Sequence, residues 1–157
     1  MEETIKKIFK ETANGPKAIR VDISNSLNIL GLPFMSFQKG EKTLRFLLDT
    51  GASMNFIRKD VLEEFSAEAE LLPYTTQFFG IENVGHETSV FSLSIHLGPH
   101  TFTEDFQELP GENSLRFSLD DYDIQLDGIL GYTFFSKYNA CFSYGSKSMY
   151  IDVPSNQ

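Results

Sequence analysis

The chain has 157 residues, 22 acidic against 13 basic, for a net charge of −9. A chain of this length forms one domain burying roughly 68 to 70% of the surface its unfolded form would expose. Its acidic balance argues against partners that present phosphate, so neither nucleic acid nor a membrane surface is an expected partner.

Fifteen Phe and six Tyr with no Trp suit strands and pocket walls better than a helical bundle. A single cysteine, Cys141, cannot form an internal disulfide, and the start MEETIKKIFKE contains no uninterrupted apolar stretch. No apolar run approaches a membrane span and no N-x-S/T acceptor occurs, so a cytoplasmic location is expected.

In chain order, Ile5, Ile8 and Phe9 stand at helical spacing and Asn14-Gly15-Pro16 stops the pattern. Residues 1–16 therefore read as an N-terminal helical extension and 17–157 as the main domain. Strands are expected at 18–23 and 32–37, then a turn at Lys39-Gly40-Glu41 and a returning strand over 43–48. In that strand Leu44, Phe46 and Leu48 share one face, and Arg45 and Leu47 the other. It ends on Asp49.

Past LDTGAS, Asn55-Phe56-Ile57 reads as extended and 58–66 as a helix with Val61, Leu62 and Phe65 on one side. Pro73 closes any helical tendency in 67–72. Runs at 74–79 and 88–97 form a hairpin whose tip carries Gly80 and Gly85, and 101–106 is a further strand. The polar, acidic stretch 107–125 reads as a long surface loop. The chain then returns with Asp127-Gly128-Ile129-Leu130-Gly131, a short helix over 133–138, and strands at 140–144 and 148–151. Taken together, the class is all-β with short helices.

Two distant segments carry chemistry together. Asp49-Thr50-Gly51-Ala52-Ser53 follows a hydrophobic strand, a glycine-bearing hairpin comes some thirty residues later, and Asp127-Gly128-Ile129-Leu130-Gly131 comes late. In this order and spacing the chain resembles the retropepsin-like aspartic proteases over about residues 30–152. The resemblance implies a β-rich lobe with the Asp loop against the Ile-Leu-Gly segment, and a flap formed by Gly80, Ile81, Val84 and Gly85. It makes Asp49 the catalytic residue, supported by Thr50, Gly51, Ala52 and Ser53. Thr50 would bond across two such loops, and the Gly51 N–H would support the carboxylate. Asp127, with Gly128, Ile129, Leu130 and Gly131, would form a structural loop.

Amide hydrolysis without a covalent intermediate needs a base that activates water and an acid that protonates the departing nitrogen. Two carboxylates sharing a proton supply both, because like charges about 3 Å apart cannot both ionise. The chemistry requires no metal or cofactor. With one DTG in the chain, the second aspartate must come from a second copy, so the expected partners are a peptide or protein substrate and the chain itself as a homodimer. The competing reading is a catalytically silent, protease-like module for peptide binding or assembly.

Other motifs are weaker. Ser36-Phe37-Gln38-Lys39 fits S-x-x-K but lies in a strand, where that spacing does not bring Lys onto Ser. His96 and His100 flank Gly98-Pro99 without a completed zinc set, His86 falls in the expected flap, and Cys141 reads as a buried thiol.

Overall fold

The computed structural model describes residues 18–79, 85–109, 114–119 and 122–154. The expected N-terminal extension, residues 1–16, lies outside them. The strands are β1 (Ala18–Asp22), β2 (Phe34–Lys39), β3 (Lys42–Leu48), β4 (Asn55–Arg58), β5 (Glu70–Phe79) and β6 (Gly85–Leu97). They continue as β7 (His100–Leu109), β8 (Arg116–Leu119), β9 (Tyr122–Gln125), β10 (Gly128–Leu130), β11 (Cys141–Ser143) and β12 (Ser148–Asp152). Three short helices, α1 (Ser24–Leu30), α2 (Lys59–Glu64) and α3 (Tyr132–Lys137), complete the described elements. None of these helices is long and apolar enough to cross a membrane.

Seven strands form a sheet in the order β2-β3-β10-β4-β7-β6-β5, and a β2–β6 contact at Gln38 and His96 curls it toward a barrel. A second sheet, β1-β12-β11, joins the two ends of the described chain, with Ala18 opposite Asp152. The alternation that marks β3 in the sequence is realised: Leu44, Phe46 and Leu48 are buried while Arg45 is exposed. Phe37, Phe46, Phe102, Phe106 and Phe134 fill the interior. Phe37 meets Phe46 and Phe102 edge-on at 5.9 and 5.6 Å, and Phe46 stacks on Phe106 at 5.4 Å. These are favoured geometries for ring quadrupoles.

Segment 24–30, to which the sequence assigns no element, is helical: Ser26 Oγ donates to the Ile23 carbonyl at 2.9 Å and accepts from the Phe34 N–H at 3.1 Å, and Gly31 ends the helix at φ +66°. Two expectations need correction. Polar segment 107–125 is not all loop, because β7 runs to Leu109 and β8 pairs with β9 from Arg116↔Gln125 to Leu119↔Tyr122. Finally, β5 begins at Glu70 and passes through Pro73, with its register shifting between Leu71 and Thr75. Since β5 is an edge strand, the missing proline N–H costs no ladder bond there.

One buried charge gives a pH test of the core. Glu104 is 3% exposed, and its Oε1 accepts from the Tyr138 hydroxyl and, at 2.9 Å, from Lys137 Nζ. Burial pushes its carboxyl above the usual range, against the pull of those two donors. A raised folded-state value favours the folded chain below about pH 4.3, the unfolded glutamate value, and that contribution is lost as pH rises through the folded value. Glu104→Gln, which cannot ionise, is therefore expected to melt higher relative to the parent at neutral pH than at about pH 4. Thermal melts across that range check it, and a gap that does not change with pH would contradict it.

Candidate active site

The site is built where β3 ends. Parallel pairing sets Phe46, Leu47 and Leu48 of β3 against Gly128, Ile129 and Leu130 of β10. The Asp49 N–H continues the ladder to the Leu130 carbonyl at 3.0 Å. Chain direction then turns. The Ala52 N–H donates to the Asp49 carbonyl at 3.2 Å, and the Tyr132 N–H donates to the Ala52 carbonyl at 2.8 Å. Loop 49–53 is thus fastened to the start of α3 as well as to β10.

Within the loop, the Gly51 N–H donates to Asp49 Oδ1 at 2.9 Å. A Cβ on Gly51 would stand 3.2 Å from that oxygen, closer than nearly all side chains come. The carboxylate is half-buried, whereas Thr50, Gly51 and Ser53 are exposed and Ala52 is half-buried. Among the described residues no second carboxylate bonds to Asp49, and the Thr50 hydroxyl has no hydrogen-bond partner.

Asp127 holds the approach to β10. Its Oδ2 accepts the Arg45 N–H at 2.7 Å, its own N–H donates to the Arg45 carbonyl at 2.7 Å, and its carbonyl accepts the Arg58 N–H at 2.9 Å. Burial raises its carboxyl, opposed by the Arg45 N–H and by the positive charges of Arg58, Lys42 and Arg45. Gly128 and Gly131 are small because backbone crosses them: a Cβ would lie 2.2 Å from the Phe56 carbonyl oxygen in the first case and 2.3 Å from that of Met54 in the second. Ile129, half-buried, lies opposite both Leu47 and Phe56.

Two residues that bind this region together escape the sequence patterns. Asn55, 1% exposed, accepts the Gly131 N–H on Oδ1 at 3.0 Å and donates from Nδ2 to the Asp105 carbonyl at 3.3 Å. Arg58, 8% exposed, pairs with Asp60 and donates from Nη1 to the Leu126 carbonyl at 3.1 Å. A polar side chain inside the four-residue buried run of β4 is the only signal either offers.

The hairpin expected to carry the flap is β5–β6, whose outermost described pair is Phe79 and Gly85. Gly85 is the first residue of β6, while Gly80, Ile81 and Val84 lie outside the described residues. Elsewhere, Ser36 is exposed while the Lys39 side chain is buried in an ion pair with Glu68, which leaves no S-x-x-K site. His96 Nδ1 lies 3.0 Å from Thr101 Oγ1. Cys141, expected to be buried, is half-exposed, because β11 forms an edge of its sheet.

A family model described as aspartyl protease matches residues 35–134, a span that contains both the Asp49 loop and the Asp127–Gly131 segment. Among solved structures, a retropepsin-like aspartic protease from Rickettsia conorii aligns with a TM-score of 0.55 at 15% identity, covering 87% of this chain and 91% of that one. At that identity the likeness is one of fold, and the fold is retropepsin-like. No curated protein matches the chain.

Proposed function

The chain belongs to the aspartyl protease family, and from that premise we propose that it is a homodimeric aspartic endopeptidase with Asp49 as the catalytic residue of each copy. The observation that carries the proposal is the Asp49 loop itself. A carboxylate oriented by one backbone N–H stands beside an exposed Thr50 with no partner among the described residues, at the end of a strand locked to β10. Half of a two-aspartate site would look this way.

In the dimer the two Asp49 carboxylates meet on the two-fold axis and hold one proton between them. The ionised carboxylate takes a proton from water as the oxygen attacks the scissile carbonyl carbon, and the protonated one donates to the carbonyl oxygen. The tetrahedral intermediate then collapses. The C–N bond breaks, the nitrogen receives a proton, and the carboxylates return to their shared state. Gly51 N–H holds Oδ1 of each aspartate, leaving Oδ2 toward water and substrate, and the Thr50 hydroxyls bond across the two loops. The β5–β6 hairpin covers an extended peptide held as an added strand.

Specific activity is expected to fall on dilution, because each chain supplies half the site and monomer accumulates. The charge of −9 per copy opposes association, so added salt, which shortens the Debye length to about 8 Å at 0.15 M, is expected to restore part of the loss. Activity measured against concentration, with sedimentation of the same samples, tests this. Constant specific activity in fully monomeric samples would rule out the shared site. A chain that sediments as a dimer yet cleaves no peptide would point to the silent, protease-like module.

A further inference from the structure

We propose that Arg45 is a specificity residue of the Asp49 site, selecting peptides with an acidic side chain a few positions from the bond that is cut. The inference rests on the peptidase reading for the identity of the ligand as a peptide, and on independent observations for the residue.

The first observation is strand parity. Leu44, Phe46 and Leu48 of β3 are turned into the core, so Arg45 and Leu47 are turned to the opposite face, on the side where Asp49 continues the alternation. Across that face the strands lie in register. Phe34, Leu47 and Ile129, all half-buried, form one row, and Ser36 and Arg45 the next, with Asp127 bonded to the Arg45 backbone. An apolar row thus lies nearest the aspartate, and the row that carries Arg45, with Asp127 beside it, lies one step further out.

The second observation is charge. Five of the nine described lysines and arginines have carboxylate partners, Lys39 with Glu68, Lys42 with Glu64, Arg58 with Asp60, Arg116 with Asp123 and Lys137 with Glu104, whereas Arg20, Arg45, Lys59 and Lys147 have none among the described residues. Arg45 has no ion pair among the described residues, in a chain with 22 acidic side chains. Asp127, whose Oδ2 takes the Arg45 backbone N–H, feels the Arg45 charge without forming an ion pair with it. The guanidinium is exposed and makes no hydrogen bond or ion pair among the described residues, and its fork can make a two-pronged contact with a carboxylate.

Spacing sets the subsite. At about 3.3 Å per residue, Arg45 lies roughly 13 Å along the strand from Asp49, and an extended peptide covers that distance in about four residues. With the reach of the long arginine side chain, the acidic residue falls two to four positions from the scissile bond.

The test uses paired peptides that differ only as Glu or Gln at each of those positions. The parent chain is expected to show a kcat/KM ratio of about tenfold in favour of Glu at one position, the size of one charge-assisted bond. Arg45→Ala is expected to bring the ratio to about one, and Arg45→Glu to turn it below one. The backbone bonds to Asp127 do not involve the side chain, so Arg45→Ala should melt close to the parent, while Arg45→Glu, which sets a like charge beside Asp127, is compared with the parent at a temperature where both are folded. The same pairs are measured by fluorescence anisotropy on Asp49→Asn protein, with and without Arg45→Ala, which reads selectivity without turnover. Binding selectivity that Arg45→Ala removes supports the inference even if the parent cleaves nothing, an outcome that would remove the peptidase reading alone. A parental ratio near one at every position, or a ratio that survives Arg45→Ala in both assays, overturns it.

Discussion

Asp49→Asn is expected to lower peptide hydrolysis by about 10³-fold or more while leaving the fold in place. Positioned acid–base groups contribute about 10² to 10⁴-fold, and in a symmetric site one substitution removes both titrating groups at once. Asn has nearly the same shape, and its amide oxygen can accept the Gly51 N–H that Asp49 Oδ1 accepts at 2.9 Å. The backbone bonds of Asp49 to Leu130 and Ala52 do not depend on the side chain. The melting temperature is therefore expected to stay within about 2 °C of the parent, as for a substitution near the surface. Sedimentation of the variant should match the parent. Cleavage of a susceptible peptide library at the parental rate would mean that Asp49 is not the catalytic group, whatever the fold.

What the sequence made legible follows the strength of the burial pattern. Strand β3 reads directly because Leu44, Phe46 and Leu48 alternate against Arg45, and the structure buries the same three. Its end at Asp49 and the distant Gly128–Gly131 segment read together through the resemblance to the retropepsin-like proteases, and the structure supplies the physical reason, since backbone passes within 2.3 Å of where a Cβ on either glycine would stand. Helix α1 was hidden: in SNSLNIL the Ser and Asn residues outnumber the two leucines, which are the strong helix formers, and it is held by Ser26 bonds to Ile23 and Phe34 that no local pattern announces. The β8–β9 hairpin was hidden in acidic residues that read as loop. Its strands are four residues each, and the register that sets Phe117 opposite Ile124 is not announced by any alternation long enough to read.

The same reasoning explains why some contributors to the site were invisible. Asn55 joins Gly131 to Asp105 across three separate segments, and a lone asparagine carries no spacing that would reveal this. Arg45 was visible only as the polar side of a strand. Its place beside Leu47, Ile129 and Asp127 depends on the parallel pairing of β3 with β10, which joins residues some eighty positions apart. Long-range pairing is set by the whole sheet, so local periodicity finds the strands without finding their neighbours.

Gly131→Ala is expected to be strongly damaging to both stability and the site. A Cβ there would lie 2.3 Å from the Met54 carbonyl oxygen, 2.7 Å from that of Ala52 and 2.9 Å from the Met54 carbonyl carbon. All three are backbone atoms, so no side chain can rotate away to relieve the contact. Gly128→Ala also meets backbone, at 2.2 Å from the Phe56 carbonyl oxygen, together with the Phe46 ring. Overpacking of a tight interior costs about 1 to 3 kcal/mol and sometimes more, which for a domain of this size lowers the melting temperature by about 2 to 4 °C per kcal/mol. Gly131→Ala is expected at or above the top of that range. It should also reduce activity at temperatures where the variant remains folded, because the Ala52 carbonyl that would be pushed is the one that fastens the Asp49 loop to Tyr132. Gly145→Ala provides the control, since nothing lies within 4 Å of a Cβ there, and it should melt close to the parent. If Gly131→Ala melted like Gly145→Ala and kept full activity, loop 49–53 could not be packed against the Gly131 segment as closely as these distances require.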